Sequence, residues 1–389
     1  MRPLEGRRLW FVGIGGAGLS AYAQLARAWG AEVGGWDRVD TPYLEPLRDA
    51  QLEIGPEPVV PDGWEVVVSS AYPQTPGRPR GDLLAELVGL RRSIVVAGSH
   101  GKGTTAAMVA FVLHETGRDP AWLIGAPVPQ LGANAGAGEG WLVVEGDESD
   151  RSVFGLPAEI AVVTNVELDH HTEFRSLAEL EAEFDRWSQA AAHVVRDAPP
   201  YEGELTVPGE HNRRNAGAAL AALELAGVSR DEAEPAVARF SGTGRRFEVA
   251  DLDGVTIVDD YAHHPTEVAA TIEAARGLYP GRRLRVLFQP HLYSRTRHLA
   301  PELAAALAGA DDITVTEIYA ARERELAGVS GKLVVDALSD RGRLSAWMPS
   351  LEASVEYLAS RAAPGDVLLT IGAGDVDRAP GLLRERLGR

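Results

Sequence analysis

The sequence contains no cysteine, and this absence removes several kinds of chemistry at once. Disulfide bonds, thiolate nucleophiles and cysteine-bound zinc are all excluded. Positive charge is also scarce, since 38 lysines and arginines face 56 aspartates and glutamates, for a formal net charge of -18. A nucleic acid is therefore not an expected partner, because binding its backbone needs a basic surface. An acidic enzyme with a few localised basic side chains remains compatible with an anionic substrate.

Long hydrophobic runs are missing too. The first apolar run, residues 9–14, is far shorter than the roughly 20 residues that cross a membrane. It leads into a glycine turn and not into a small-residue cleavage site, which is unlike a secretory signal. We therefore expect a cytoplasmic protein with no membrane partner. The 389 residues are enough for two or three domains of roughly 100–200 residues each.

Short apolar runs alternate with amphipathic stretches along the chain, which is typical of strand–helix–strand units and parallel sheets. The pattern predicts an α/β fold of three domains in series. A Rossmann-like domain covers residues 1–92, and a central domain with a parallel sheet of the P-loop ATPase type covers 93–239. A C-terminal Rossmann-like α/β domain covers 240–389. The Gly/Ala-rich segment 132–140 has no periodic pattern and is predicted to be a loop.

The first motif, Gly13–Gly18, fits G-x-G-x-x-G between a predicted strand and a predicted helix. Such glycines let the backbone approach a diphosphate, which the N-terminus of the helix attracts. Asp37, at the end of the next predicted strand, can accept a hydrogen bond from a ribose hydroxyl. The motif indicates a diphosphate without saying which one. A nicotinamide or flavin dinucleotide, a nucleotide-sugar and a tight turn that binds nothing all remain open.

The second motif, Gly98–Thr105, also lies between an apolar strand and a helix. The backbone N–H groups of such a loop surround phosphate oxygens, Lys102 neutralises their charge, and a hydroxyl can reach Mg²⁺. The motif differs from the common G-x-x-x-x-G-K-[ST] pattern, because Gly103 follows the lysine and the first hydroxyl belongs to Thr104. Two phosphate-type loops in one chain favour a nucleotide-dependent enzyme over two tight turns.

Further clusters of acidic, histidine and arginine residues follow predicted strands, at Glu145–Asp150, Asn165–His171, Asp259–Glu267 and Gln289–Arg297. Ligands bind beyond the carboxyl ends of parallel strands. Carboxylate oxygens suit Mg²⁺, and arginines can hold a carboxylate or a phosphate bidentately. Taken singly, each cluster could also be a solvated loop, a helix cap or a surface ion pair.

In this order the motifs resemble those of the Mur ligase family, and most closely its branch that adds L-alanine to UDP-N-acetylmuramate. The most specific strings are Asp-Tyr-x-His-His-Pro-Thr-Glu at 260–267 and Gln-Pro-His-x-Tyr-Ser-Arg-Thr-Arg at 289–297. The resemblance implies an ATP-dependent amide ligase that forms an acyl phosphate in peptidoglycan precursor synthesis. It implies ATP and Mg²⁺ as cofactors, UDP-N-acetylmuramate and L-alanine as small-molecule partners, and a monomer or homodimer.

The resemblance also implies roles for individual residues. For the UDP-sugar they are Gly15, Gly16, Ala17, Gly18, Asp37, Ser69, Ser70 and Ala71. For ATP they are Gly98, Ser99, His100, Gly101, Lys102, Gly103, Thr104, Thr105, Asn212, Asn215 and Arg246. For the amino acid they are Tyr261, His263, Arg295 and Arg297. Thr104, Glu145 and His170 would hold the metal, and catalysis would rest on Lys102, Glu145, His170, Arg246 and His291.

Three departures from the family pattern leave alternatives open. Only thirty-nine positions separate His170 from Gly209, the first domain is short between Ala71 and Ser93, and Gly103 replaces a hydroxyl residue. The alternatives are a ligase for recycled murein tripeptide or another carboxylate, an NAD-dependent oxidoreductase that uses the first glycine motif, and an inactive paralogue that only binds.

Overall fold

The computed structural model describes residues 2–169, 173–321 and 323–388, which form three mainly parallel sheets flanked by helices. The chain divides into two compact units. The first contains residues 1–168, 173–206 and 212–243, and the second contains 169–172, 207–211 and 244–389. Among the helices described, none combines the length and apolar character needed to cross a membrane. The α/β fold predicted from the sequence is confirmed, whereas the domain boundaries at 92/93 and 239/240 stay predictions.

The first sheet is entirely parallel, with strand order β3-β2-β1-β4-β5. Its strands are β1 (Arg8–Val12), β2 (Glu32–Asp37), β3 (Gln51–Ile54), β4 (Glu65–Val68) and β5 (Arg78–Pro79). Helices α1 (Ala17–Ala28) and α2 (Arg80–Gly89) belong to the same part of the chain. Strand β2 needs glycine at Gly35, because a Cβ there would lie 2.5 Å from the carbonyl oxygen of Phe11. Strands β1 and β2 therefore pack closely together just before the first glycine motif, which follows β1.

The second sheet has strand order β11-β10-β6-β9-β7-β8. Its strands are β6 (Ser93–Ala97), β7 (Ala121–Val128), β8 (Ala133–Ala137), β9 (Leu142–Glu145), β10 (Ile160–Val163) and β11 (His193–Arg196). All neighbours pair in parallel except β8, which runs antiparallel to β7. The helices of this stretch are α3 (Lys102–Glu115), α4 (Leu177–Gln189), α5 (Glu210–Leu225) and α6 (Arg230–Ala238).

The prediction of a loop at 132–140 is wrong, because β8 lies within it. The small residues there reflect close packing and not looseness. A Cβ on Gly136 would lie 2.2 Å from the indole ring of Trp122, and a Cβ on Gly138 would lie 2.1 Å from the carbonyl oxygen of Asp119. Such contacts come from a neighbouring strand, so the sequence pattern of the segment alone does not reveal them.

The third sheet lies in the second unit, with order β12-β13-β17-β14-β15-β16. Its strands are β12 (Glu248–Leu252), β13 (Val255–Asp260), β14 (Leu284–Phe288), β15 (Asp312–Val315), β16 (Ala346–Trp347) and β17 (Val367–Ile371). Only β12 is antiparallel to its neighbour. The helices are α7 (Pro265–Leu278), α8 (Tyr293–Leu307), α9 (Lys332–Asp340), α10 (Leu351–Arg361) and α11 (Ala379–Leu387).

Helices cover both faces of this third sheet, as a doubly wound fold requires. One apolar core contains Val258 and Val286 from the strands with Leu303 from α8. The other core contains Ile257 and Leu287 with residues of α10 and α11. Neighbouring residues of one strand thus enter opposite cores, which is the two-residue period of a β-strand.

Candidate functional site

The first glycine loop connects β1 to α1 and is shaped by a carboxylate. The backbone N–H of Gly15 donates a 2.7 Å hydrogen bond to Oδ2 of Asp37, which is nine-tenths buried. A Cβ on Gly15 would come within 2.9 Å of that same oxygen, so only glycine fits there without a shift. Gly13 has φ +92°, a conformation that glycine adopts freely. Asp37 therefore lies at the predicted place, and its observed partner is the loop itself.

A cleft of about 540 Å³ opens beside the end of β4, and Ser69, Ser70, Arg80 and Asp150 are among the residues that line it. The backbone N–H of Ser69 continues the sheet by donating to Val12 O at 3.0 Å. The hydroxyl oxygen of Ser69 accepts from the N–H of Ala71 at 3.3 Å. The structure thus brings two of the predicted UDP-sugar residues, Ser69 and Ser70, to one concave surface.

The second glycine loop connects β6 to α3 and is held by side chains from distant parts of the sequence. Gly101 has φ +78°, and a Cβ there would lie 2.2 Å from Oδ1 of Asn215. Asn215 also donates to Oδ1 of Asn212 at 3.2 Å. The loop is therefore packed against the buried Asn215, which Asn212 holds in turn, and α3 begins at Lys102.

The middle of this loop is fixed by the residues that follow β10. The backbone N–H of His100 donates to Oδ1 of Asn165, whose Nδ2 donates back to His100 O, both at 2.9 Å. Ser99 Oγ donates to Glu167 O and accepts from Glu167 N, both at 2.8 Å. The imidazole Nε2 of His100 lies 3.4 Å from Glu167 Oε2. These bonds set the backbone shape that the glycine motif only permits.

Lys102, the first residue of α3, is already engaged by an acidic partner. Its Nζ lies 3.0 Å from Oε2 of Glu148, which is buried, and donates to Ser99 O at 3.1 Å. Burial alone would lower the pKa of this amine, but the carboxylates of Glu148 and Asp147 raise it above its ordinary value. Lys102 is thus charged and held where a phosphate oxygen could replace its present partners.

Glu145, at the end of β9, lies over the first turn of α3. Its Oε2 accepts a 2.6 Å hydrogen bond from the N–H of Gly125, and a Cβ on Gly103 would lie 3.1 Å from its Oε1. Glycine at 103 therefore leaves room for this carboxylate. Thr104 is buried, and the hydroxyl of Thr105 is fully buried with no hydrogen-bond partner in the described part of the chain. A carboxylate beside these hydroxyl residues is the donor type that Mg²⁺ prefers.

The third predicted metal ligand, His170, lies outside the described residues. The roles of Thr104 and Glu145 as ligands stay predictions, because the structure places the groups without testing them.

The second unit brings a row of aromatic rings to the ends of its strands. The ring of His263 lies 5.4 Å from that of Tyr261 and 5.7 Å from that of His291, both edge-on. His291 in turn stacks on Tyr319 at 5.9 Å. Burial lowers the pKa of His263 to about 4, although Glu267 works in the opposite direction. The predicted amino-acid residues Tyr261 and His263 therefore lie together, with a histidine that is neutral at pH 7.

Two of the predicted arginines have different surroundings. Arg295 is buried and donates to both carboxylate oxygens of Asp169, at 2.6 and 2.8 Å, while its Nη1 lies 2.9 Å from Nδ1 of His291. Arg297 is exposed. Both lie near the start of α8. Arg295 orients the histidine, and Arg297 remains accessible to a ligand.

Arg246 is placed beside Tyr261, with its guanidinium 5.3 Å from the ring centroid and 3.6 Å from Glu267 Oε1. Burial raises the pKa of the neighbouring Asp260 to about 6, even though the Arg246 charge lowers it. The two oxygens of Asp260 accept backbone N–H groups of Phe247 and Ala262, both at 2.8 Å. Asp260 therefore shapes the backbone around this cluster.

Sequence reasoning named Asp147 and Glu148 only as members of the acidic cluster after β9, and it missed Arg80 altogether. Glu148 binds Lys102, and Asp147 and Arg80 form an ion pair beside it at 2.8 Å. The signal for the two acids was the four carboxylates at the end of β9. Nothing local distinguished Arg80 from the chain's many other arginines.

Residues 245–374 match the family described as Mur ligase, glutamate ligase domain. The UDP-N-acetylmuramate–L-alanine ligase of Acidothermus cellulolyticus is 38% identical, over 100% of this chain and 96% of that protein. The chain belongs to the Mur ligase family. The enzyme of the same description from Streptomyces coelicolor is 37% identical, over 98% of each chain. The crystal structure of UDP-N-acetylmuramate–alanine ligase from Thermotoga maritima superposes with a TM-score of 0.81 at 25% identity, covering 98% of this chain and 99% of that one.

These comparisons confirm the family and the fold class predicted from the motifs. They also bear on the short segments noted in the sequence. The alignment with the Acidothermus protein spans 460 positions, about 71 more than the 389 residues of this chain. The chain therefore has fewer residues than this relative within the aligned region.

Proposed function

We propose that the chain is an ATP-dependent ligase that joins L-alanine to UDP-N-acetylmuramate, in the cytoplasm, as a step of peptidoglycan precursor synthesis. The observation that carries the proposal is Lys102, charged and held at the start of α3 in a family member of nearly full-length similarity. The same arrangement argues against a dinucleotide oxidoreductase, which has no need of a second phosphate loop. The monomeric or homodimeric state stays a prediction.

The chemistry follows from the weakness of a carboxylate as an electrophile. Transfer of the γ-phosphoryl group of ATP to the sugar carboxylate makes an acyl phosphate, and the amino group of L-alanine then displaces phosphate. Lys102 would neutralise negative charge on the phosphoryl group in the transition state of its transfer. Catalysis of this step depends on positioning and electrostatics. The loop Gly98–Gly101, whose backbone is shaped by Asn165 and Asn215, would surround the remaining phosphate oxygens.

Magnesium would be held by Glu145 and Thr104, together with His170 if the predicted set is complete. The carboxylate of Glu145 is oriented by the N–H of Gly125, and Gly103 leaves space around it. A bound Mg²⁺ would neutralise phosphate charge that one lysine cannot balance alone.

The substrate sites are proposed from the two remaining groups of residues. The UDP-sugar would bind at Gly15–Gly18 and the cleft that Ser69 and Ser70 line. L-alanine would bind at the cluster of Tyr261 and His263, and the exposed Arg297 would donate hydrogen bonds to its carboxylate.

The test is a substrate panel on the purified full chain, with phosphate release and product mass measured together. We expect ATP, Mg²⁺, UDP-N-acetylmuramate and L-alanine to give ADP, phosphate and the amide, with glycine and L-serine slower. Preference for murein tripeptide over L-alanine would move the chain to the recycling alternative. No ADP with any acceptor would overturn the ligase proposal.

A further inference from the structure

Arg80, the first residue of α2, is a contact point for two other elements of the first unit. Its Nε donates to Asp150 Oδ2 at 2.7 Å and its Nη2 donates to Asp147 Oδ2 at 2.8 Å. A Cβ on Gly18, in the first turn of α1, would lie 3.2 Å from its Nη1. The guanidinium is 17% exposed and lines the 540 Å³ cleft. One side chain therefore touches the helix of the first glycine loop and the acidic loop after β9.

The acidic loop that Arg80 holds is also tied by its own backbone. Asp147 Oδ1 accepts from the N–H of Ser149 at 2.9 Å, and Ser152 Oγ donates to Asp147 O at 3.3 Å. Glu148, which lies between Asp147 and Ser149 in the sequence, forms its ion pair with Lys102. The orientation of Glu148 thus depends on the two aspartates that Arg80 clamps.

Positive and negative charges alternate from Arg80 to Lys102. Arg80 pairs with Asp147 and Asp150, and the neighbouring Glu148 pairs with Lys102. Lys102 interacts electrostatically with Asp147 as well as with Glu148. Without Arg80, the two aspartates would lose their nearest cation, and Asp147 would compete with an incoming phosphate for Lys102. A like-signed anion close by opposes binding of a second anion.

We propose that Arg80 is a positioning residue for nucleotide binding: by neutralising Asp147 and Asp150 it keeps Lys102 available to a phosphate group. The inference rests on the proposed role of Gly98–Thr105 as the ATP loop. It assigns Arg80 an effect that passes through Lys102 and not through direct contact with the nucleotide.

The chain offers a clean spectroscopic readout, because Lys102 and Lys332 are its only lysines. In protein labelled with ¹³C and ¹⁵N lysine, two side-chain amine signals result, and Lys332→Arg assigns them. We expect Arg80→Met to shift the Lys102 signal in the absence of nucleotide, and Arg80→Met with Asp147→Asn to return it towards the wild-type position. A Lys102 signal that ignores Arg80→Met in folded protein would overturn the proposal.

Affinity for a fluorescent ADP analogue is the second measurement. We expect Arg80→Met to weaken binding about tenfold, the Asp147→Asn double variant to recover most of the loss, and Arg80→Lys to fall between. Arg27→Met is the matched control, since Arg27 makes a bidentate ion pair with exposed Asp49 in the same unit. It should bind the analogue like wild type.

The remaining results for the Arg80 variants also support or overturn the proposal. Normal affinity for the ADP analogue with a raised KM for UDP-N-acetylmuramate would make Arg80 a direct ligand of the sugar nucleotide and overturn its positioning role. If Arg80→Met fails to fold, Arg80→Gln carries the same two measurements, because it also removes the charge and adds no lysine. Both measurements need no turnover, so a wild-type chain inactive on L-alanine would refute the proposed substrate and leave the Arg80 test intact.

Discussion

The two glycine loops of the first unit have the same local construction and opposite electrostatic surroundings. Each follows a buried parallel strand and opens a helix. The first loop donates a backbone N–H to the carboxylate of Asp37, and the first turn of α1 has no acidic or basic side chain. The second begins its helix with Lys102, which is surrounded by Glu145, Asp147 and Glu148. A glycine motif locates a phosphate site, and residues far along the chain decide what kind it is.

The difference also explains how each loop keeps its shape. In the first loop the carboxylate of Asp37 approaches a glycine N–H directly. In the second, amide side chains of Asn165 and Asn215 hold the backbone and leave the helix N-terminus to an anion. The two loops are thus held by different chemistry, a carboxylate in the first and amide side chains in the second.

The largest effect should come from Lys102→Ala, which removes the one cation of the second loop. We expect kcat for phosphate release to fall about 10³-fold, in the range of losing an electrostatic contact to the transition state. Lys332→Ala is the matched control, because Lys332 is exposed and pairs with the exposed Asp336 on α9. Full activity of Lys102→Ala would remove the distinction between the two loops.

Gly101→Ala should break the second loop through its backbone. A methyl group there meets Asn215 Oδ1 at 2.2 Å and sits at φ +78°, so we expect a loss of about 2–3 kcal/mol in unfolding free energy, together with weaker ADP binding. Gly117→Ala separates the two causes, since Gly117 has φ +70° with nothing within 4 Å. It should cost about 1 kcal/mol by urea denaturation and leave ADP binding unchanged. Equal losses for both would mean that Asn215 does not constrain the loop.

A pH effect outside both loops should come from His263. Its pKa of about 4 lies below the ordinary 6.5, so the unfolded chain binds the proton first as pH falls. Stability from this group is therefore complete above about 6.5 and is lost towards pH 4, by about 2 kcal/mol at pH 4.5. The urea midpoint is measured as a function of pH for the wild type and for His263→Gln. The difference between the two midpoints should show this loss as the pH falls. His298→Gln, at an exposed position, should follow wild type, and a flat difference for His263→Gln would contradict the burial argument.

Asp37→Asn should have the smallest effect on activity, and it tests the comparison of the two glycine loops from the side of the first loop. The amide keeps an oxygen for the Gly15 N–H and loses the charge, so the loop should retain its fold. We expect the KM for UDP-N-acetylmuramate to change by about tenfold or less and kcat to stay within about twofold, because this loop does not take part in phosphoryl transfer. A collapse of kcat with an unchanged KM would place the first loop in the chemistry and end the contrast.

The features that could be predicted are those encoded locally. The sequence predicts a strand before each glycine motif, and the structure has β1 and β6 at these two places. The glycine loops and the acid clusters after strands were found for the same reason. Asp37 could be placed because it ends a strand next to the one that carries the motif.

What could not be predicted depends on contacts between distant residues. Asn215 lies 114 positions after Gly101, and Arg80 lies 67 positions before Asp147. The role of Arg295 at the amino-acid site stays a prediction, and its ion pair with Asp169, 126 positions earlier, could not be seen in the sequence. Only the sheet topology brings such pairs together, and periodicity within a segment carries no information about it.

The measurement that tests the ligase account most directly uses UDP-N-acetylmuramate in which both carboxylate oxygens are ¹⁸O. The chain is supplied with this substrate, ATP, Mg²⁺ and L-alanine, and the released phosphate is examined by mass spectrometry. If the second loop activates the carboxylate as an acyl phosphate, one ¹⁸O atom should appear in each phosphate for every amide formed. Phosphate without ¹⁸O, alongside amide formation, would contradict the account.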